Sequence, residues 1–524
     1  MNSKHSRREF LKNLNLLFAL GATSGLSEFL FDGNSAVAKT PKVEPLLLSA
    51  NGHRYKVMPW TGDNFTRGHE LRNGDIPKFP EHAELTYDFV IIGGGIAGLT
   101  SAYFLKDHNY LLLEQYDQLG GNSRGSSYRG IDFSYGPAYV GDLEGLAGKL
   151  FEEIGLTGYK LLPPRNNWYV QGEWLPGIEG TKQHILYKEF DRFFSEAKPL
   201  WKQMGEWQGS MPNLESDLGR LDAVPFSSVL SSYDPLFVQM IESFCKSTLC
   251  GSVSGLSALA GYMLLQDPHG IAHVFKGGNP AIANALKAKL NQVNAPRNKT
   301  GCFVWNVTAK EDGASVVYQD SQGVMHKVDC RKVINCAPPL VSARITTGMH
   351  DTTKALLLSF KYGAYLVANF CMKKKVFNGS YDNWVAAPFS FTDVITAETP
   401  YIASNSYKPS MGSVLTMYHP WTAGSDGRGL LFEGDRERFS TDLVQQMHKL
   451  VPQFDANLEK VVLSRWGHAM VVARPGFFKL VQKLQAEKTG SYILAHNSMH
   501  GLPCAESAIG AARHAADLAL GSKT

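Results

Sequence analysis

The sequence has 524 residues, of which 44% are hydrophobic and 19% are charged. This composition supports a large buried core and excludes a generally disordered chain, and the length indicates two or more domains. The 52 basic and 48 acidic residues leave a net charge of +4, which is too balanced to indicate nucleic-acid binding. After the N-terminal region no stretch runs to about 18 uncharged apolar residues, so the sequence predicts no stable membrane span.

The first 38 residues have the features of an export signal. Residues 6–12 match the twin-arginine pattern S-R-R-x-F-L-K at each fixed position, and a moderately apolar run then leads to A-V-A at 36–38. We therefore predict a twin-arginine signal peptide over 1–38, with cleavage after Ala38, the twin-arginine translocase as export partner, and the periplasm as destination. The alternatives are an amphipathic N-terminal helix and a retained anchor, although Glu28 disfavours a stable span.

The export route carries information about the mature protein. Twin-arginine passengers are exported in the folded state and often hold a cofactor inserted in the cytoplasm, so the signal itself predicts a cofactor. The seven cysteines are odd in number and sparse for this length, and they predict buried thiols rather than a disulfide scaffold. No C-x-x-C pair and no H-E-x-x-H motif occurs, so the sequence does not support a metal site.

A dinucleotide-binding unit begins after a polar stretch that ends near residue 86. Residues 87–92 form a buried-strand pattern, residues 93–98 match G-x-G-x-x-G, and a helix pattern and a second buried strand at 110–113 follow. The second strand leads into Glu114, about 20 residues after the first glycine, where a carboxylate accepts hydrogen bonds from a ribose diol. An acid at this place favours a free 2′-hydroxyl, so FAD or NAD fits better than NADP.

Each glycine of the motif has a physical reason. Gly93 permits a tight turn, Gly95 lets the backbone approach a pyrophosphate, and Gly98 lets the helix pack on the strand. Ile96 and Ala97 begin the helix, whose free N–H groups and positive dipole end would face the phosphates.

Further elements resemble the flavin-containing amine oxidase superfamily, which includes phytoene-type desaturases and protoporphyrinogen oxidases. Residues 119–125 are similar to its G-G-R element, with the arginine displaced by two positions, and residues 132–141 are similar to its D-x-G-A/G-x-W/Y element near the flavin. Similar matches lie at 274–280, at 303–307 together with 332–339, and from 466 to 512. The ordered set covers about 85–520 and implies FAD rather than NAD.

The resemblance implies which residues contact the cofactor. Val304 falls where the family's backbone contacts adenine, and the helix that begins near Glu506 would point its N-terminus at the ribityl-pyrophosphate. The predicted cofactor-binding residues are Gly93, Gly95, Ile96, Ala97, Gly98, Glu114, Gln115, Gly121, Asn122, Arg124, Gly136, Ala138, Tyr139, Val304, Trp466, Glu506 and Ala508. His468, on the approach to the flavin, is the candidate catalytic residue, and a hydrogen-bonded supporting role is its alternative.

The chain departs from the amine oxidases of this superfamily on the substrate side. Val367 stands where those enzymes carry a lysine that holds a water near flavin N5, and Ala469 and Cys504 stand where monoamine oxidases carry two tyrosines. The resemblance implies a flavin oxidoreductase that moves a hydride from a substrate C–H bond to N5, with amine or polyamine oxidation as the first hypothesis. The alternatives are a desaturase or isomerase acting on an apolar substrate, and a non-catalytic FAD-bearing partner protein.

The expected fold is α/β, with a discontinuous Rossmann-like FAD-binding domain and an α+β substrate or cap domain of the amine-oxidase kind. An N-terminal extension over 39–83 has no family counterpart. An amphipathic helix is predicted within 187–207, and the substrate cavity is expected over the flavin at the domain boundary. The FAD-binding domain is placed at 84–160, 271–345 and 460–520, and the substrate domain at 161–270 and 346–459.

Overall fold

The computed structural model describes residues 45–141, 143–177, 183–205, 211–215, 217–266, 273–487 and 490–521. The predicted signal peptide over 1–38 lies outside the described residues. Glu44–Thr524 forms one compact unit, so the boundaries placed between the FAD-binding and substrate domains stay a prediction.

The described ranges contain both strands and helices, often in runs of one kind. In chain order, strands β1–β22 are Leu46–Leu48, Arg54–Val57, Thr61–Gly62, Leu85–Ile92, Tyr110–Leu113, Gly125–Tyr128, Ile131–Ser134, Tyr159–Lys160, Asn166–Val170, Glu173–Leu175, His273–Val274, Asn298–Lys299, Phe303–Ala309, Ala314–Gln319, Met325–Asn335, Thr346–Thr347, Tyr362–Met372, Asp382–Val385, Asp393–Thr396, Ser413–Trp421, Leu458–Val471 and Tyr492–Leu494. Helices α1–α16 are Thr66–Asn73, Ile96–Phe104, Gly145–Glu153, Ile185–Met204, Asp217–Ala223, Pro235–Leu249, Ala258–Leu264, Pro280–Asn294, Pro339–Ile345, Asp351–Ser359, Thr399–Ala403, Gly427–Glu433, Arg436–Leu450, Phe454–Asn457, Phe477–Ala486 and Ala505–Leu520.

The first large sheet contains the predicted dinucleotide unit. Its strands run in the order β12-β5-β4-β15-β14-β13-β16, and β22 also pairs with β15. The pairs β12–β5, β5–β4, β4–β15 and β15–β22 are parallel, whereas β13, β14 and β15 form an antiparallel meander. All of β5 and the last half of β4 are buried, as expected for parallel strands covered on both faces. Helices α2, α8 and α16 share one apolar core with these strands.

The second large sheet forms the floor of the predicted substrate region. Its order is β1-β2-β21-β17-β20-β19-β18-β9-β10, and β3 also pairs with β21. The long strand β21 lies in this sheet beside β17, although the sequence-based boundaries place residues from 460 in the FAD-binding domain. The N-terminal extension contributes β1, β2 and β3 at the β21 edge, with β2 and β3 parallel to β21. The extension is therefore an integral part of the sheet.

Helix α4 confirms the amphipathic helix predicted within 187–207. Its buried side chains, Leu186, Phe190, Phe193 and Ala197, recur at intervals of three and four residues and so share one face. Complete burial of each larger apolar side chain contributes roughly 1.5–3 kcal/mol. The helix therefore covers the aromatic core of the substrate region with its apolar face.

The seven cysteines all lie within the described residues, and all are free thiols. Cys336 and Cys504 are half-buried and the other five are buried. Burial raises the pKa of Cys330 and of Cys336 to about 12, so both remain protonated and unreactive at neutral pH. Across the described ranges, none of the helices combines the length and the apolar character needed to cross a bilayer.

Candidate active site

The glycine-rich loop between β4 and α2 has the geometry that a pyrophosphate requires. Gly93 has φ +94°, a conformation that residues with a side chain rarely adopt. A Cβ at Gly98 would overlap the carbonyl oxygen of Gly93, so only glycine lets α2 approach the loop this closely. A Cβ at Gly95 would meet only the Cα of Gly121, at 3.7 Å, so the space beside the loop is open.

The N-terminus of α2 presents backbone donors to that space. Gly95 is the N-cap residue, and no side chain caps the helix. The first hydrogen bond of the helix runs from the N–H of Leu99 to the carbonyl oxygen of Gly95 at 2.9 Å. The earlier amides, including those of Ile96 and Ala97, have no partner within the helix, and they lie at its positive dipole end. The residues present therefore fit the pyrophosphate of FAD.

Glu114 lies at the end of β5, where the sequence predicts a ribose acceptor. One carboxylate oxygen accepts a hydrogen bond from the N–H of Gly94 at 2.6 Å, and the other accepts one from the N–H of Tyr116 at 2.9 Å. Burial raises the pKa of Glu114, while these backbone donors and Arg124 oppose the rise. Each oxygen keeps a second lone pair, so the carboxylate can hold the loop and also accept from a ribose hydroxyl. The neighbouring Gln115 is exposed.

The loop that follows Glu114 lies against the glycine-rich loop. Gly120 donates its N–H to the carbonyl oxygen of Gly94 at 2.7 Å, and a Cβ at Gly121 would come within 2.9 Å of the Cα of Gly95. Arg124 donates from Nε to the carbonyl oxygen of Gly121 and from a terminal nitrogen to that of Gly62, both at 2.8 Å. Arg124 thus fixes the protein loop, and any contact between Arg124 and the cofactor remains a prediction.

The predicted flavin-facing loop is held by aromatic side chains in and beside the second sheet. Tyr418 donates its hydroxyl to the carbonyl oxygen of Gly136, and Tyr381 donates to that of Ala138, both at 2.9 Å. Trp466 donates its indole N–H to the carbonyl oxygen of Tyr135 at 2.8 Å. These bonds fix the loop against the second sheet, and its contact with the flavin stays a prediction.

The remaining predicted cofactor residues come from three separate elements. Val304 is buried in β13. Asn122 donates its amide to the carbonyl oxygen of Ala469 at 3.3 Å. Glu506, in the first turn of α16, accepts a hydrogen bond from the N–H of Gly141 at 2.6 Å, and Ala508 is buried in the same helix.

His468, the predicted catalytic residue, is paired with a cation. One terminal nitrogen of Arg428 lies 2.9 Å from Nε2 of His468, and arginine can only donate in such a contact. Desolvation, followed by the positive charges of Arg428 and Arg344, lowers the pKa of His468 to about 4. The imidazole is therefore neutral at pH 7, with Nε2 occupied as an acceptor. This geometry fits the supporting role, and a catalytic role stays a prediction.

The sequence patterns did not reveal a cluster of acids on the floor of the substrate region. Val367 of β17 pairs with Tyr418 of β20, and Tyr418 pairs with Asp393 of β19, so the three side chains share one face of the sheet. The hydroxyl of Tyr139 lies 2.8 Å from Oδ2 of Asp393 and 3.2 Å from Oδ2 of Asp382. The two carboxyl groups of this acid–tyrosine cluster, defined as Asp382, Tyr139 and Asp393, share a sheet face with Val367, which the resemblance places at the family's lysine position.

The acid–tyrosine cluster has one hydroxyl group for two buried carboxyl groups. Tyr139 has a single hydroxyl proton and cannot donate fully to two carboxylates. Asp382 and Asp393 are 2% and 0% exposed, and Oδ1 of Asp382 is buried without a partner, whereas Asp393 also accepts from Thr392 at 2.6 Å. Burial raises the pKa of Asp393 to about 6, and burial with the nearby Asp393 charge raises that of Asp382 well above its ordinary value. Both pKa values are therefore raised, and the value of about 6 for Asp393 lets that carboxyl group ionise near neutral pH.

The parallel sheet, the open glycine-rich loop, the ribose acceptor and the closing helix define a dinucleotide-binding oxidoreductase fold. The flavin-containing amine oxidoreductase family model matches residues 96–520. The chain therefore belongs to this family of FAD-dependent oxidoreductases, which confirms the predicted superfamily, cofactor and class of enzyme.

Curated relatives match only part of the chain. Flavin-containing amine oxidase A of Canis lupus familiaris is 37% identical over 288 residues, which cover 49% of this chain and 51% of that protein. Probable flavin-containing monoamine oxidase A of Dictyostelium discoideum is 24% identical over 290 residues, covering 49% of this chain and 59% of that protein. The chain thus spans little more than half the length of these relatives.

Solved structures share the fold over most of this chain. Putrescine oxidase bound to putrescine has a TM-score of 0.67 at 18% identity, covering 83% of this chain and 99% of that chain. Cyclohexylamine oxidase from Brevibacterium oxydans has a TM-score of 0.64 at 15% identity, with coverages of 83% and 99%. A conjugated-linoleic-acid-producing fatty acid isomerase from P. acnes reaches 0.59 at 14% identity, with coverages of 83% and 98%. These likenesses confirm the predicted α/β fold class.

Proposed function

We propose that the protein is a periplasmic FAD-dependent amine oxidase whose substrate is larger than a simple monoamine, with a polyamine as the first hypothesis. The acid–tyrosine cluster on the substrate floor carries the proposal. A carboxylate that ionises near neutral pH in a dry, phenol-lined region favours a cationic substrate. The partly exposed ring of Tyr139 adds cation–π attraction of roughly 0.5–2 kcal/mol.

The cluster also supplies the base that amine oxidation needs. When bound, FAD supplies the hydride acceptor at N5. An ammonium group must first lose a proton, because the nitrogen lone pair assists departure of the hydride from the adjacent carbon. In our proposal the substrate proton passes to the oxygen of Tyr139 while the hydroxyl proton of Tyr139 passes to Asp393. The substrate becomes a neutral amine and Asp393 becomes a neutral acid, so charge and protons balance.

A specific observation supports a second candidate, desaturation or isomerisation of an apolar substrate. Val367 is apolar and buried at the family's lysine position, and a fatty acid isomerase shares the fold. The acid–tyrosine cluster favours the amine because an apolar substrate offers no charge to match Asp393. A non-catalytic FAD-bearing partner protein is the third alternative.

Simple monoamines are expected to be poor substrates. Ala469 and Cys504 provide no aromatic pair at the family's substrate positions, and each lost cation–π contact costs roughly 0.5–2 kcal/mol. The measurement is anaerobic flavin bleaching and aerobic peroxide formation with benzylamine, spermidine, a long-chain unsaturated fatty acid and a quinol. We expect spermidine to bleach the flavin faster than benzylamine. Fast benzylamine turnover contradicts the size argument, bleaching only by fatty acid or quinol supports the second candidate, and a flavin that nothing reduces supports the third.

Export is expected to require both arginines of the N-terminal motif. Replacement of Arg7 and Arg8 by lysine keeps the charge but removes the guanidinium pair of the signal. We expect the periplasmic holoprotein to disappear and the cytoplasmic pool to retain FAD, while the control Lys4→Arg leaves export unchanged. N-terminal sequencing of the wild-type periplasmic protein is expected to begin at Lys39. Undiminished periplasmic protein in the double variant would refute the twin-arginine assignment.

A further inference from the structure

A short segment of the N-terminal extension contacts three parts of the cofactor site. We define residues 61–64 as the clasp. The carbonyl oxygen of Gly62 accepts from Arg124 at 2.8 Å. One carboxylate oxygen of Asp63 accepts from the N–H of Gly467 at 2.7 Å, and the other accepts from the hydroxyl of Tyr116 at 3.3 Å.

Each of these partners belongs to a different region of the dinucleotide site. Tyr116 donates its own N–H to Glu114, the predicted ribose acceptor. Arg124 donates to Gly121 in the loop that lies against the pyrophosphate loop. Gly467 follows Trp466, the predicted flavin contact, in β21. The clasp therefore links the ribose end, the pyrophosphate loop and the flavin end.

The clasp is built into the fold by close backbone packing. Gly62 has φ +91°, and a Cβ there would overlap the backbone of Arg465 in β21. Thr61 donates to the carbonyl oxygen of Leu463 at 3.2 Å, and its hydroxyl lies 2.6 Å from that of Ser464. These contacts hold the clasp on β21 independently of its contacts with Arg124 and Tyr116.

The Asp63 carboxylate accepts hydrogen bonds from β21 and from the segment that follows β5. Burial raises the pKa of Asp63, and the N–H of Gly467, the hydroxyl of Tyr116 and the charge of Arg124 oppose that rise. The guanidinium of Arg124 also stacks over the Tyr116 ring at 4.1 Å from its centroid. Loss of the carboxylate would leave the N–H of Gly467 and the hydroxyl of Tyr116 without this acceptor, and unmet buried donors are costly.

We propose that the clasp is a positioning element for FAD, which keeps the ribose acceptor, the pyrophosphate loop and the flavin-side strand in register. The family match begins at residue 96, so the clasp lies outside it. The clasp acts on cofactor retention, which is measured without substrate. Its test therefore does not depend on whether the substrate is an amine.

The experiment measures the FAD dissociation rate of the holoenzyme from the rise in flavin fluorescence after dilution. We expect about a 10-fold faster release in Asp63→Ala, since a hydrogen-bonded charge is lost, and a smaller increase in Tyr116→Phe. The double variant is expected to release FAD about as fast as Asp63→Ala, because both changes remove one shared interaction. The matched control is Arg67→Ala, whose exposed pair with Glu70 lies in the same extension, and it should not change the rate.

Thermal unfolding in excess FAD separates cofactor positioning from general stability. Faster release with an unchanged unfolding midpoint supports the clasp. If Asp63→Ala fails to fold, Tyr116→Phe decides, because it removes only one hydroxyl group. The proposal is overturned if both single variants release FAD at the wild-type rate. If Asp63→Ala does not fold, a wild-type release rate in Tyr116→Phe alone overturns it. The extension would then serve only as edge strands of the second sheet.

Discussion

Replacement of Gly95 by aspartate is expected to produce a folded protein without FAD. The backbone at Gly95 is extended, and a Cβ there makes only an ordinary contact with Gly121, so the fold tolerates a side chain. The new carboxylate would occupy the space beside the loop and repel the pyrophosphate. Aspartate is also a favourable N-cap, so it would engage the α2 amides that phosphate requires and stabilise the empty form by about 1 kcal/mol.

Flavin released by denaturation, measured per mole of protein, checks this result. Gly95→Ala is the matched control, since it adds the Cβ without the charge and is expected to retain most of the FAD. Circular dichroism should show the same helix content for both variants. Stoichiometric FAD in the aspartate variant would show that the pyrophosphate is bound elsewhere.

Replacement of Asp393 by asparagine is expected to slow amine-driven flavin reduction by about 10²–10⁴-fold while FAD remains bound, the range usual for loss of a general base. In the wild-type protein the reduction rate at saturating amine should rise with pH through about 6, because Asp393 must be ionised to accept the proton. The variant should lack this step in its pH profile. Stopped-flow bleaching under anaerobic conditions measures both effects.

The matched control is Asp382→Asn, because the proposed path passes no proton to Asp382, whose pKa is raised well above its ordinary value by burial and the nearby Asp393 charge. We expect this variant to keep most of its rate and the same pH dependence near 6. The proton path is contradicted if Asp393→Asn and Asp382→Asn lose flavin-reduction rate equally, or if neither variant loses it. The path assigns the acceptor role to Asp393 alone.

Asp393 also makes the free energy of unfolding depend on pH, and the sign of this dependence follows from its raised pKa. The pKa of Asp393 is raised from 3.8 to about 6, so between those values the folded state binds more protons than the unfolded state. The contribution of Asp393 to the free energy of unfolding is fully present below about pH 4 and is lost as the pH rises through about 6. Asp393→Asn should remove this part of the slope in denaturant unfolding.

Local sequence patterns identified the dinucleotide unit because each part depends on neighbouring residues. Gly95 lies between a buried strand and a helix, and Glu114 ends the next strand, so spacing alone places both. The sequence did not predict a role for Asp393, because that role depends on strand pairing with β18 and β20. It also depends on contact with Tyr139, which is far away in sequence. An aspartate directly before the apolar pair Val394 and Ile395 in a strand was the available signal.

Other site features depend on long-range contacts that spacing does not encode. The neutral state of His468 follows first from burial and then from the charge of Arg428, which is 40 residues earlier in the chain. The involvement of Asp63 follows from the parallel pairing of β3 with β21, which brings the extension beside Gly467. The sequence predicted no role for the N-terminal extension, because residues 39–83 match no family element.

The seven free cysteines have a consequence for where the chain can mature. Since none is paired in a disulfide, the fold requires no oxidant and is compatible with completion in a reducing compartment. Burial also keeps these thiols protonated, so they resist exchange when the surroundings become oxidising. The covalent structure is thus the same on both sides of a membrane, and transfer between compartments would leave no redox step to complete afterwards.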